Sequence, residues 1–195
     1  MTPLREDLLA IVRERGLRHS DVPFKLASGE MSNWFLDGKR ALAQGDDLVV
    51  ACQAILELAA ARGVEFDAVG GLTLGADQFA HGVAMVGHKD WFVVRKAPKG
   101  RGTNQLIEGA QLTPDSRVLL VDDVVTTGGS IKQAYDDVTR ESGAKVVLAV
   151  TLVDRGERAK TYFRSIGVPY EPLLTYVDLG IPEVGVDPSR AAAAV

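Results

Sequence analysis

One stretch constrains this chain more than any other: Arg117-Val-Leu-Leu-Val-Asp122-Asp123-Val-Val-Thr126-Thr127-Gly128-Gly129-Ser130. Aliphatic and β-branched residues run into two carboxylates, then a polar glycine-bearing turn, then an amphipathic run from Ile131 to Ser142. That order predicts strand, loop and helix. In open α/β sheets ligands bind beyond the carboxyl ends of the strands, so the site belongs here. The turn can offer successive backbone N–H groups, with the hydroxyls of Thr126, Thr127 and Ser130, to one anion at the start of a helix. Two acids beside a phosphate cradle would repel the phosphate, so they suit hydroxyls or a cation. A ribose 5-phosphate satisfies both halves.

Other readings stand beside this one. Paired Asp after an apolar strand also marks phosphoacceptor and metal sites, and Thr, Ser and Gly before a helix also serve as a simple N-cap. A Walker loop is excluded: Gly82 to Gly87 has the interval, but His88 and Lys89 follow where Lys and Ser or Thr are needed.

The stretch resembles the phosphoribosyl pyrophosphate signature of the type I phosphoribosyltransferases. The resemblance implies that Asp122 and Asp123 hold the ribose hydroxyls and that Thr126, Thr127, Gly128, Gly129 and Ser130 wrap the 5-phosphate.

The 195 residues suit a single domain, and a net charge of −4 with mixed signs offers no basic face for nucleic acid or membrane. The lone Cys52 lies in an apolar helical run and reads as a core thiol. No apolar run reaches the length of a membrane span, and acids stand where a signal peptide needs its apolar core. A cytoplasmic location is the expectation.

Further elements follow in order. Thr2-Pro3 opens an amphipathic helix stopped near Gly16, and 46–62 predicts a second. Asp67 to Leu72 predicts a buried strand, Thr73 to Ala76 a turn at its carboxyl end, and a helix continues to about Val86. His81 on that helix reads as structural. Trp91 to Lys96 predicts a strand ending in two cations, followed by a glycine-bearing stretch. Arg95, Lys96, Lys99 and Arg101 place four cations within seven residues, which suits a basic lid over a substrate carrying several phosphate charges. Lys145 to Val153 has the continuous apolar character of a central parallel strand and ends at Asp154-Arg155-Gly156. There Asp154 can cap the helix predicted over 157–166, and Arg155 can be solvated or can face a ligand. An edge strand over 170–174 and a terminal helix or loop complete the chain.

Three of these segments resemble the orotate phosphoribosyltransferases, a likeness covering about residues 17 to 180. Phe24-x-Leu-x-Ser28-Gly29-x-x-Ser32-x-Trp34-Phe35-x-Asp37 matches their N-terminal hood hairpin, the Arg95-Lys96 lid through Glu108-Gly109 matches theirs, and Asp154-Arg155 matches the pair that takes the base's carboxylate. The implied fold is α/β: a mostly parallel sheet flanked by helices on both faces, with a small hood at about 17–44 and a core at about 45–180. The implied reaction transfers 5-phosphoribosyl from its pyrophosphate to orotate. Lys99, Arg101 and Asp123 stand at the chemistry, Arg95 and Lys96 join the lid at the pyrophosphate, and Phe35 and Arg155 meet the base. Mg2+ is implied on donor oxygens and water rather than on side chains, as is a homodimer whose lid is shared between subunits. Ala27 and Leu74 replace lysines common in the family, and Arg101 replaces a common histidine. A transferase for another base, or a non-catalytic sensor of the donor, remains open at this point.

Overall fold

The computed structural model describes residues 2–26, 28–98 and 105–184. Ala27, Lys99 and Arg101 therefore lie outside the described residues.

Six strands form the main sheet in the order β5-β4-β3-β6-β7-β8. They are β3 (Ala68–Leu72), β4 (Asp90–Val94), β5 (Ile107–Gly109), β6 (Arg117–Val125), β7 (Lys145–Asp154) and β8 (Tyr170–Thr175). Every neighbouring pair is parallel except β4 with β5. Alternation along the strands sorts the core into two layers, because successive side chains point to opposite faces. Leu119 and Val121 of β6, with Leu148 and Val150 of β7, pack beneath α1 (Pro3–Ile11), α3 (Gly45–Ala61) and α4 (Asp77–Gly87). Val118, Leu120 and Ala149 face the opposite way, toward Ile131, Ala134 and Val138 of α5 (Gly129–Ser142) and Phe163 of α6 (Arg158–Ser165). Burying each such aliphatic side chain contributes about 1.5–3 kcal/mol. The central strands are consequently the rigid floor of whatever is built at their ends.

Two boundaries differ from expectation. β6 does not stop at the acids: it runs on to Val125 because pairing with β7 continues through Val125 opposite Asp154. Both carboxylates thus stand on a hydrogen-bonded strand rather than on a loop. In the hood, the first extended piece starts at Leu17, well before Phe24, so β1 (Leu17–Lys25) pairs with β2 (Met31–Leu36) as a separate antiparallel ribbon. A register irregularity between His19 and Phe24 accommodates the polar run and Pro23 that hide this strand in the sequence.

The N-terminal helix ends in a π-helical turn, Val12–Gly16, and a short α2 (Gly38–Ala41) follows the hood, capped by Asp37 accepting from the Arg40 N–H at 3.0 Å. At the other end, α7 (Tyr176–Leu179) carries a capping box between Thr175 and Asp178, and Asp178 also receives Arg5 of α1 at 2.9 Å. Cys52 is fully buried, and burial pushes its thiol up to about 12, as suits a core residue. Among the described residues no helix is long and apolar enough to cross a membrane.

Candidate active site

The chain leaves β3 for the β4 side and returns to β3's other side as β6, so the strand order reverses between β3 and β6. At such a switch point the loops beyond adjacent strands diverge and leave a crevice. Here the crevice is a cavity of about 490 Å3 lined by Leu72, Lys96, Asp122, the turn 126–130 and Gln133, with Ser28 of the hood on its rim.

On one side stands the predicted cradle. Gly128 takes a left-handed conformation (φ 79°) that glycine adopts without a Cβ penalty, and α5 begins at once with no side chain capping it. The first-turn N–H groups of α5 are therefore left for an external acceptor beside the Thr127 and Ser130 hydroxyls. Gln133 fixes this helix to the end of β4 by donating to the Lys96 carbonyl at 3.3 Å.

On the other side stand the acids. Asp122 is 4% exposed, and its Oδ1 accepts the Asp123 N–H at 3.0 Å. Burial, with the neighbouring Asp123 charge, pushes its carboxyl up to about 7. Asp123 accepts the Val124 N–H on Oδ1 at 2.7 Å and the Lys39 ammonium on Oδ2 at 2.7 Å. The two acids converge on the turn after β3, whose Thr73–Leu74 peptide is cis. A Cβ placed on Gly75 would stand 2.6 Å from Asp122 Oδ1 and 2.8 Å from Asp123 Oδ1. Only glycine lets that turn come so close to both carboxylates.

The remaining predicted residues divide. Lys96 is at the cavity, whereas Arg95 turns to Glu108 of β5 and donates to it at 2.8 Å. Arg155 is neither solvated nor free in a pocket. It is 1% exposed and donates to the Trp34 carbonyl at 3.0 Å and the Ser32 hydroxyl at 3.1 Å, which docks the hood on the end of β7. Arg158 adds an ion pair with Glu30 of the hood. Asp154 does not cap α6; it accepts the Gly156 N–H and the Tyr170 hydroxyl. Phe35 lies against Phe24 across the ribbon with centroids 5.5 Å apart. His81 meets Trp91 edge-on and is outside the cavity.

Sequence reasoning missed Lys39, Gln133 and the part played by Gly75. The run Asp37-Gly38-Lys39-Arg40, a capping acid followed by two cations next to the hood, was the available signal for the first.

The family described as phosphoribosyl transferase domain matches residues 64–162. The chain is 39% identical over 193 residues to the orotate phosphoribosyltransferase of Streptomyces coelicolor, covering 96% of this chain and all of that one. It is 38% identical over 181 residues to that of Aquifex aeolicus, covering 90% and 97%. Among solved structures, Mycobacterium tuberculosis orotate phosphoribosyltransferase in complex with 5-phospho-alpha-D-ribosyl 1-diphosphate superposes with a TM-score of 0.73 at 34% identity, covering 92% of this chain and 100% of that one. The same enzyme with Fe(III) dicitrate gives a TM-score of 0.77.

Proposed function

From the premise that the chain belongs to the orotate phosphoribosyltransferase family, we propose that it joins orotate to the 5-phosphoribosyl group of phosphoribosyl pyrophosphate, releasing orotidine 5-monophosphate and pyrophosphate. The observation that carries this is the pairing, in one crevice, of an uncapped helix start with the Asp122 carboxylate, whose neighbour Asp123 meets it at the Gly75 turn. A phosphorylated sugar is the ligand that uses both.

Displacement at an anomeric carbon passes through an oxocarbenium-like state and needs no covalent nucleophile, so the residues' work is to hold the sugar and stabilise the leaving group. Asp122 and Asp123 accept the ribose hydroxyls, and Thr126 to Ser130 take the 5-phosphate. Lys96, with Lys99 and Arg101 from outside the described residues, neutralises the charge growing on the pyrophosphate and excludes water. Arg95 belongs to the same basic group, steered by Glu108. Phe35 and Arg155 form the base side, where docking the hood leaves the Arg155 Nε without a partner among the described residues. Because Arg155 is 1% exposed, the carboxylate of orotate reaches that N–H only as the hood opens.

Among the described residues no group of three or more His, Cys, Asp or Glu could hold a metal. Mg2+ is proposed on donor oxygens and water, since it takes hard oxygen ligands and keeps several waters. Bound in that way, it supplies positive charge to the departing pyrophosphate.

We assign the functional unit as a homodimer in the cytoplasm, where both charged substrates would be available. Leu74, Met85 and Trp91 are exposed large apolar side chains (69%, 77% and 41%); Met85 stands one turn after His81 on α4, and His81 touches Trp91. A second copy would cover such exposed apolar side chains. Light scattering should give twice the chain mass, and a monomer would remove that assignment.

The activity is tested with carbon-14 orotate, the donor and Mg2+. Labelled orotidine 5-monophosphate is expected. Reaction with purines instead would make this a transferase for another base, and donor binding without reaction with any base would make it a sensor.

A further inference from the structure

Lys39 stands two residues past the end of the hood motif, and it sits on one of the two acids. Its ammonium lies 2.7 Å from Asp123 Oδ2 across 84 residues of chain. The approach is built. Gly38 packs so tightly on β6 and β7 that a Cβ there would stand 3.1 Å from the Asp123 Cβ and 3.4 Å from both Leu152 Cδ2 and Val124 Cγ2. Asp37 fixes the first turn of α2 by capping it, and Lys39 is thereby delivered to the end of β6.

We propose that Lys39 is a positioning residue for the sugar: its ammonium holds the Asp123 carboxylate in place and offsets the second negative charge of the acid pair. This rests on the reading of the crevice as the donor site. The surroundings of Asp123 show why one cation matters. Asp122 adjoins it on β6, Asp37 lies near Lys39 on α2, and Asp77 opens α4 within the field of Lys39. Against these acids stand Lys39 and the more distant Lys96. Burial draws the Lys39 ammonium downward, but its hydrogen bond to Asp123 and the nearby carboxylates outweigh this and leave it raised. The lysine is thus charged wherever the enzyme works. Without it, adjacent carboxylates repel each other and can rotate apart or take up a proton, and the hydroxyl acceptors lose their geometry.

Calorimetric titration of wild-type, K39M and K39R protein with phosphoribosyl pyrophosphate in Mg2+, from pH 6 to 9, tests this, with inorganic pyrophosphate as a second ligand and melting temperature measured throughout. K39M should bind the donor at least tenfold more weakly and move the acidic limb of the affinity profile to higher pH. Its pyrophosphate affinity should hold, and K39R should recover most of the loss. Lys39 keeps a side-chain exposure of 55%, so K39M should fold. Three results would overturn the role: unchanged donor affinity, equal loss of donor and pyrophosphate, or a fall in melting temperature in both variants that accounts for the lost binding. Wild-type protein that binds pyrophosphate but no donor would instead remove the functional reading on which the role rests.

Discussion

Replacing Arg155 with leucine should loosen the hood while leaving the sheet intact. The guanidinium donates to the Trp34 carbonyl and the Ser32 hydroxyl at 3.0 and 3.1 Å. Hydrogen bonds from a charged donor contribute about 1.5–3 kcal/mol each, or about 3–6 together. Against this, the wild-type protein buries a cation whose Nε has no partner among the described residues, which costs about 1–3 kcal/mol and disappears with leucine. The net weakening of hood docking is about 2 kcal/mol, equivalent to about a 30-fold rise in the fraction of open hood. Hydrogen exchange read peptide by peptide should show this acceleration in β1 and β2 and little change in β6 and α5. Arg158→Ala provides a scale: its exposed pair with Glu30 contributes at most about 1 kcal/mol, so about a five-fold effect is its ceiling. Steady-state kinetics should show the KM for the base rising in R155L. Hood exchange equal to wild type would refute the docking role, and a hood effect no larger than that of R158A would refute the energetics.

Asp123→Asn should weaken donor binding by at least tenfold with a melting temperature close to wild type; a large thermal loss with unchanged affinity would make that acid structural. Asp122→Asn should be more stable than wild type at pH 8. The folded protein raises this carboxyl from 3.8 to about 7, so its stabilising contribution is complete below about pH 4 and is lost as pH rises through 7, to a ceiling of about 4 kcal/mol. The advantage of D122N should therefore shrink by more than half at pH 5, and a melting-temperature difference independent of pH would refute the assignment. Gly75→Ala places a methyl group 2.6 Å from Asp122 Oδ1, and calorimetry should show donor affinity falling at least tenfold while the fold survives. Under the proposed role of Lys99 at the leaving group, Lys99→Ala should lower turnover more than base affinity; equal losses in kcat and in base affinity would count against that role.

Features set by contiguous residues were legible in the sequence. Strands buried on both faces must be apolar throughout, so 145–153 and 117–121 announced themselves, and the whole cradle occupies one turn with its signature intact. The hood hairpin was legible from its aromatic residues, but its first strand was cut short. In a two-stranded ribbon with open edges, His19, Ser20, Asp21 and Pro23 are tolerated, and the periodic signal that marks a core strand never develops. Contacts across the chain were illegible for a different reason. Arg155 meets Ser32 over 123 residues and Lys39 meets Asp123 over 84, and nothing local to any of the four marks its partner. An arginine at a strand end looks the same whether it is solvated, holding a ligand or docking a hood.

The acids themselves show how a sequence can identify a site while misplacing its boundary. A strand flanked on both sides has little tolerance for carboxylates, because burying an unpaired charge is expensive. It was natural to end β6 where the acids begin. The strand continues because its backbone pairs with β7 up to Val125, and the protein keeps Asp122 by letting its carboxyl bind a proton far more readily than usual. Asp123 is kept by a lysine from another element, and both are kept by a turn with no side chain at Gly75. Each accommodation costs stability or restricts the sequence, and none improves the packing of the core. Local rules are broken in this way where function requires it, so the conflict between Asp122-Asp123 and the strand that carries them is itself evidence that a ligand is gripped there.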